Sequence, residues 1–198
     1  MEIYKIILAI TVLASVLSFN NSDRIGKLLF IPYVVKRKNE WYRFITSGFV
    51  HADFLHLIFN MLSFYFFAPY IEGAFNSTQF LVLYLGSMII ADIPTYFKYQ
   101  DSPGYGSLGA SGAVSAIVFS YIMLRPFDTL LVFFIPMPAI LYGVLFLAYS
   151  YYLDKKGHGV INHSAHFYGA VTGLIFTFVI HPYSLTNFIQ QIADKLSF

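Results

Sequence analysis

The chain has 198 residues, of which 58% are hydrophobic, 20% aromatic and only 11% charged. A soluble domain carries about 25% charged residues, so this composition excludes a water-soluble fold and points to the membrane class. The net charge of +2 without a basic stripe gives no signal for nucleic acid, and a chain without cysteine has no disulfide, no thiolate catalysis and no cysteine metal site.

A membrane-crossing helix needs about 20 mostly apolar residues. In chain order, such segments are expected at 3–19, 54–75, 79–97, 108–124, 130–152 and 163–180. A signal peptide is the alternative for the first, because Lys5 precedes a short apolar run, but no small-x-small cleavage site follows. Residues 20–53 form a long connection in which Trp41, Tyr42, Phe44 and Phe49 are mixed with Arg24, Lys27, Lys36, Arg37, Lys38 and Arg43. Aromatics and long cations suit the membrane interface, and partial folding there as short amphipathic helices is expected. Pro136 and Pro138 should bend the fifth segment or delay its start. Residues 76–78 and 125–129 are short connections, and 183–198 a terminal one. No repeat or linker divides the chain, so residues 1–198 are expected to form one polytopic domain, an all-α membrane protein of six transmembrane helices.

Polar side chains inside a bilayer are costly, so each is a functional candidate. One cluster is His51, His56 and Asn60 at the start of the second segment. Another is Gly109-Ala110-Ser111-Gly112 at the start of the fourth, and the last is His163 and His166 at the start of the sixth. Successive spans reverse direction, so all even-numbered helices begin on the same membrane face. The clusters therefore share one side and one depth, where they can meet in a single water-accessible cavity.

Each residue also has an ordinary structural reading. Ser111 between Gly109 and Gly112 is a small residue at a helix contact. The same surroundings suit a nucleophile: glycines let a substrate backbone approach, and free amide hydrogens at a helix start can hold a developing oxyanion. His166 heads a stripe with Gly169 and Gly173, four residues apart on one face, where a neighbouring helix can pack closely. If that neighbour is the Ser111 helix, the imidazole lies near the hydroxyl and can take its proton. His56 and Asn60, also four apart, share one face and present two side-chain donors, which either bridge helices or line an oxyanion hole. A zinc protease is disfavoured, because no His-Glu-x-x-His occurs and His51 and His56 are five apart. Asp92 is the one clear aspartate within a span, read as a helix-end residue near Pro94 that reaches the interface. A transporter would show an inverted repeat, and none is evident.

Together these residues resemble the rhomboid family of intramembrane serine proteases. The resemblance is carried by Trp41-Tyr42-Arg43, His51-Ala-Asp-Phe-Leu-His56-Leu-Ile-Phe-Asn60, Glu72, Gly109-Ala110-Ser111-Gly112 and Ala165-His166-Phe-Tyr-Gly169-Ala-Val-Thr-Gly173, in the family's order, over residues 40–175. It implies a Ser111–His166 dyad and an oxyanion hole of His56, Asn60 and the Ser111 amide. It also implies transmembrane protein substrates in the lipid bilayer, with no cofactor and no metal. The expected location is a prokaryotic plasma membrane, crossed several times, with the active site facing away from the cytoplasm. A catalytically inactive rhomboid-like protein that binds membrane clients is the alternative.

The sequence departs from the family pattern in four respects. Ser115 stands where many rhomboids carry a tyrosine that stacks on the catalytic histidine. His163 stands where asparagine or another small polar residue is expected, and Tyr42 is inserted between Trp41 and Arg43. The loops on the expected outer face hold Arg24, Lys27, Lys36, Arg37, Lys38, Arg43, Lys98, Lys155 and Lys156, against Lys5, Arg125 and Lys195 on the other. That distribution opposes the positive-inside rule, unless the long first loop uses its cations as interfacial anchors.

Overall fold

The computed structural model describes residues 2–132, 134–156 and 162–197. It is a multi-span helical bundle. Helix α1 (Ile3–Ser18) is followed by three short helices in the first loop, α2 (Ser22–Leu28), α3 (Pro32–Lys38) and α4 (Arg43–Thr46), and a 3-10 turn (Ser47–Phe49). The long helices α5 (Phe54–Phe75) and α6 (Ser77–Tyr99) come next, then α7 (Ser111–Leu124). Strands β1 (Thr129–Val132) and β2 (Ile135–Pro138) precede α8 (Ala139–Lys156), α9 (His163–Ile180) and α10 (Ser184–Leu196). By length and composition α5, α6 and α9 can cross a membrane, while α1 and α7 are shorter apolar helices.

Polarity is distributed as a bilayer requires. Leu13, Phe66, Phe97 and Val179 are exposed on the outside, whereas Thr11, Ser15, Ser87, Ser120 and Thr177 are buried. Small polar side chains inside let helices approach, and several bond to backbone carbonyls: Thr11 donates to the Ile7 carbonyl at 2.8 Å and Ser120 to that of Gly173 at 3.1 Å. Helix α7 is the centre of the bundle, with Gly112 through Ser120 buried without a break.

Two predicted segments are corrected. The fifth, 130–152, does not begin as a helix: β1 and β2 pair antiparallel, Thr129 opposite Pro138 and Leu131 opposite Pro136. Neither proline can supply the amide a helix needs there, so α8 starts only at Ala139. Its first amides donate instead to the Asp128 and Pro126 carbonyls, at 2.9 and 2.8 Å. Residues 183–198, read as a terminal connection, contain α10.

The connections are tied down by polar groups. Asn76, at φ 79°, closes α5 and caps α6 by accepting from the Gln79 amide at 3.0 Å. Glu72 accepts from the Ile3 and Tyr4 amides, both at 2.9 Å, and so satisfies the start of α1. In the first loop, buried Arg43 donates to the Gly26 and Leu29 carbonyls at 2.8 and 2.6 Å and to Glu40 at 2.7 Å. Its guanidinium holds the Glu40 carboxyl below the usual carboxylate range. Trp41 and Phe44 pack on Tyr96 of α6, with centroids 5.6 and 5.9 Å away. The insertion of Tyr42 therefore leaves Arg43 inside the loop as its central donor.

Candidate active site

Ser111 is the first residue of α7. The first intrahelical bond at this end runs from the Val114 amide to the Ala110 carbonyl, so the amides of Ser111, Gly112 and Ala113 have no intrahelical acceptor. Gly109 reaches φ +114°, a conformation that L side chains rarely adopt. That turn aims the chain into the helix with Ser111 at its tip.

The first loop fixes this turn at three points. Phe30 and Ser107 exchange two backbone hydrogen bonds at 3.0 Å. The Gly109 amide donates to the Ser47 carbonyl at 2.9 Å. The Ala110 amide donates to His51 Nε2 at 3.3 Å. His51 lies before α5, not on it. Burial, then the neighbouring His56, pushes its pKa down to about 3, which keeps the ring neutral.

Helix α9 packs on α7 through its glycines. A methyl group on Gly169 would overlap the Gly112 carbonyl oxygen, and one on Gly173 would overlap that of Ala116. A Cβ on Gly112 would in turn stand 3.5 Å from the Ala165 carbonyl oxygen. Gly112 adjoins Ser111 and Ala165 adjoins His166, so this crossing brings the two candidate residues to one end of one helix pair. No hydrogen bond joins Ser111 to His166 among the described residues, and His166 Nε2 is buried without a partner. Catalytic hydrogen bonds are often long in the free enzyme and tighten when substrate binds.

His56 and Asn60 come from α5. Asp53 caps that helix by accepting from the His56 amide at 2.8 Å. The His56 ring lies against Gly109, where a Cβ would come within 2.7 Å of its Cε1. Its Nδ1 is buried without a partner among the described residues. Asn60 is buried and donates from Nδ2 to the His56 carbonyl at 2.9 Å, and an amide nitrogen has a second hydrogen to give. The structure thus gathers Ser111, Gly109, Gly112 and His56 directly, and sets His166 and Asn60 on the helices that flank them.

Two residues carry more than the sequence suggested. Asp92 does not reach the interface as a helix-end residue; it accepts from Asn162 Nδ2 at 2.9 Å. Asn162 also accepts from the Ala165 amide at 3.1 Å, capping α9, and donates to Thr95 at 2.9 Å. Beneath Ser111 is a cavity of about 20 Å³, room for about one water, lined among others by Ser107, Asp92 and Asn162. A hydroxyl at a helix start, a nearby imidazole, unspent donors and a polar water-sized space form the inventory of an acyl-transfer site. The sequence signal for Asn162 was its place as an N-cap before the α9 pattern; nothing local marked Asp92 as its partner.

Comparison with known proteins points to one family. The Rhomboid domain family matches residues 38–183. YdcA of Bacillus subtilis, a candidate rhomboid protease, is 32% identical over 140 residues, covering 71% of this chain and 67% of its own. RHOMBOID-like protein 12, mitochondrial, of Arabidopsis thaliana is 37% identical over 147 residues, 66% of this chain but only 44% of that protein, so this chain spans less than half of it. Rhomboid protease GlpG of Haemophilus influenzae is 28% identical over 158 residues, 79% of each chain.

Proposed function

The chain belongs to the rhomboid family, and from that premise we propose that it is an intramembrane serine endopeptidase with Ser111 as nucleophile and His166 as base. The observation that carries this reading is the crossing of α7 and α9 at Gly112 and Gly169, which sets the Ser111 turn against the first turns of α9. In the reaction, Ser111 Oγ attacks the scissile carbonyl as His166 takes the hydroxyl proton. The oxyanion forms beside the Ser111 amide, His56 and Asn60, donors placed before charge develops. His166 then protonates the leaving amine. A water attacks the acyl carbonyl as His166 takes its proton, the bond from that carbonyl to Ser111 Oγ breaks, His166 returns the proton to Oγ, and the second product leaves as a carboxylic acid.

The substrates are transmembrane proteins, since an apolar exterior confines the enzyme to the bilayer. The chain resides in a prokaryotic plasma membrane with the Ser111 end away from the cytoplasm. Pairing within the protein offsets part of the charge imbalance against that orientation: Lys36 and Arg37 both pair with Asp101. Tagging accessibility of a cysteine placed at residue 36 tests it.

The test of the activity is cleavage of a reporter transmembrane substrate by the purified protein in liposomes. Cleavage is expected in the natural protein and lost in Ser111→Ala and His166→Ala, with each variant folded. Normal cleavage by Ser111→Ala would overturn the mechanism.

A further inference from the structure

We propose that Phe146 of α8 is a positioning residue for His166, holding the imidazole by stacking where no hydrogen bond to Nε2 does. The proposal rests on the reading of His166 as the base. The Phe146 ring lies 5.6 Å from the imidazole centroid, with 29° between the planes. That separation falls within the roughly 4.5–7 Å range of favourable aromatic pairs. The His163 ring stands perpendicular to the same imidazole, with centroids 5.4 Å apart and 89° between the planes. The outer torsion of a histidine is broad and roughly two-fold, so a ring lacking a hydrogen bond at one nitrogen takes its plane from what packs against it. His166 therefore packs against one ring near parallel to its own and one perpendicular to it.

Phe146 also touches other rings. Phe119 of α7 and Tyr142 of α8 stand 5.9 Å from its ring. Gly143, one turn earlier on α8, lets the helices approach: a Cβ there would press on Ile122 and Phe119 of α7. Ser115, one turn beyond Ser111, is buried but has no ring to offer. The supporting ring comes instead from a third helix, which carries neither nucleophile nor base. The geometry of the dyad consequently depends on α8.

The experiment compares Phe146→Leu, Phe146→Tyr and Phe119→Leu by cleavage kinetics in liposomes and by NMR of labelled histidine in micelles, with His166 assigned by its loss in His166→Ala. In Phe146→Leu, kcat is expected to fall about three- to tenfold, the scale of one aromatic pair, with KM little changed. The ring-current shift of His166 should disappear in the same variant. Phe146→Tyr should keep both kcat and the shift. Phe119→Leu removes a neighbour of Phe146 but leaves its ring on His166, and should also keep both. An unchanged His166 resonance in Phe146→Leu overturns the proposal. So does a loss of kcat in Phe119→Leu equal to that in Phe146→Leu, which would mark general packing. If the natural protein cleaves nothing while the His166 resonance still moves in Phe146→Leu, the contact stands and the reading of His166 as base fails, and the positioning role fails with it.

Discussion

Gly169 of α9 faces the carbonyl oxygen of Gly112 on α7 with no space for a methyl group between them. Gly173 repeats the relationship one turn later against Ala116. Both contacts involve backbone, which cannot rotate aside as a side chain can. Gly169→Ala and Gly173→Ala should each destabilise the bundle by about 1–3 kcal/mol or more and reduce cleavage by parting Ser111 from His166. Gly86→Ala is the control, since a Cβ at Gly86 meets nothing within 4 Å. Denaturation in mixed micelles should separate the variants; equal stability of Gly169→Ala and Gly86→Ala would contradict the close crossing.

His51 links the first helix to the Ser111 turn. Ser15 Oγ donates to the Phe49 carbonyl at 3.1 Å and lies 3.0 Å from His51 Nδ1, while Nε2 accepts from the Ala110 amide. This network assigns the proton to Nδ1. The folded pKa of about 3 lies below the ordinary 6.5, so the unfolded chain binds the proton first. Its contribution is present above pH 6.5 and is lost as pH falls from there toward 3. Between pH 7.5 and 5, the natural protein should lose more stability than His51→Asn. His51→Ala should cost about 1–3 kcal/mol at pH 7.5 by leaving buried partners unmet. A His51 ring protonated at pH 6 by NMR would contradict the assignment.

Asn60 tests the donor set. Its Nδ2 gives one hydrogen to the His56 carbonyl and keeps one for an oxyanion. Asn60→Ala should slow cleavage by about 10²–10³-fold in kcat, the worth of one such donor, without abolishing it. An unchanged rate removes Asn60 from the site.

Much of this architecture is legible before folding. The α9 boundaries, His163 to Ile180, coincide with the apolar segment at 163–180, and α5 with that at 54–75. Both have a side-chain cap at the first residue boundary, Asn162 and Asp53. The strands were hidden because a short apolar run reads alike as strand or buried helix; only Pro136 and Pro138 marked the break. Helix α10 is legible only as Leu185, Ile189, Ile192 and Leu196 at helical spacing; its length and polarity fit no membrane span. The contacts of Asp92 with Asn162 and of Phe146 with His166 join residues 70 and 20 positions apart. No local pattern encodes such pairs; they follow from which helix faces which.

The proposed reactivity of Ser111 as a nucleophile depends on His166. Its most direct measurement is mass-spectrometric mapping of the adduct formed when the membrane-embedded protein is treated with a serine-directed fluorophosphonate. One modified residue is expected, Ser111, labelled in the natural protein and in Asn60→Ala at reduced rate, and unlabelled in His166→Ala. An adduct on any other serine, or labelling of Ser111 at the same rate in His166→Ala, would contradict it.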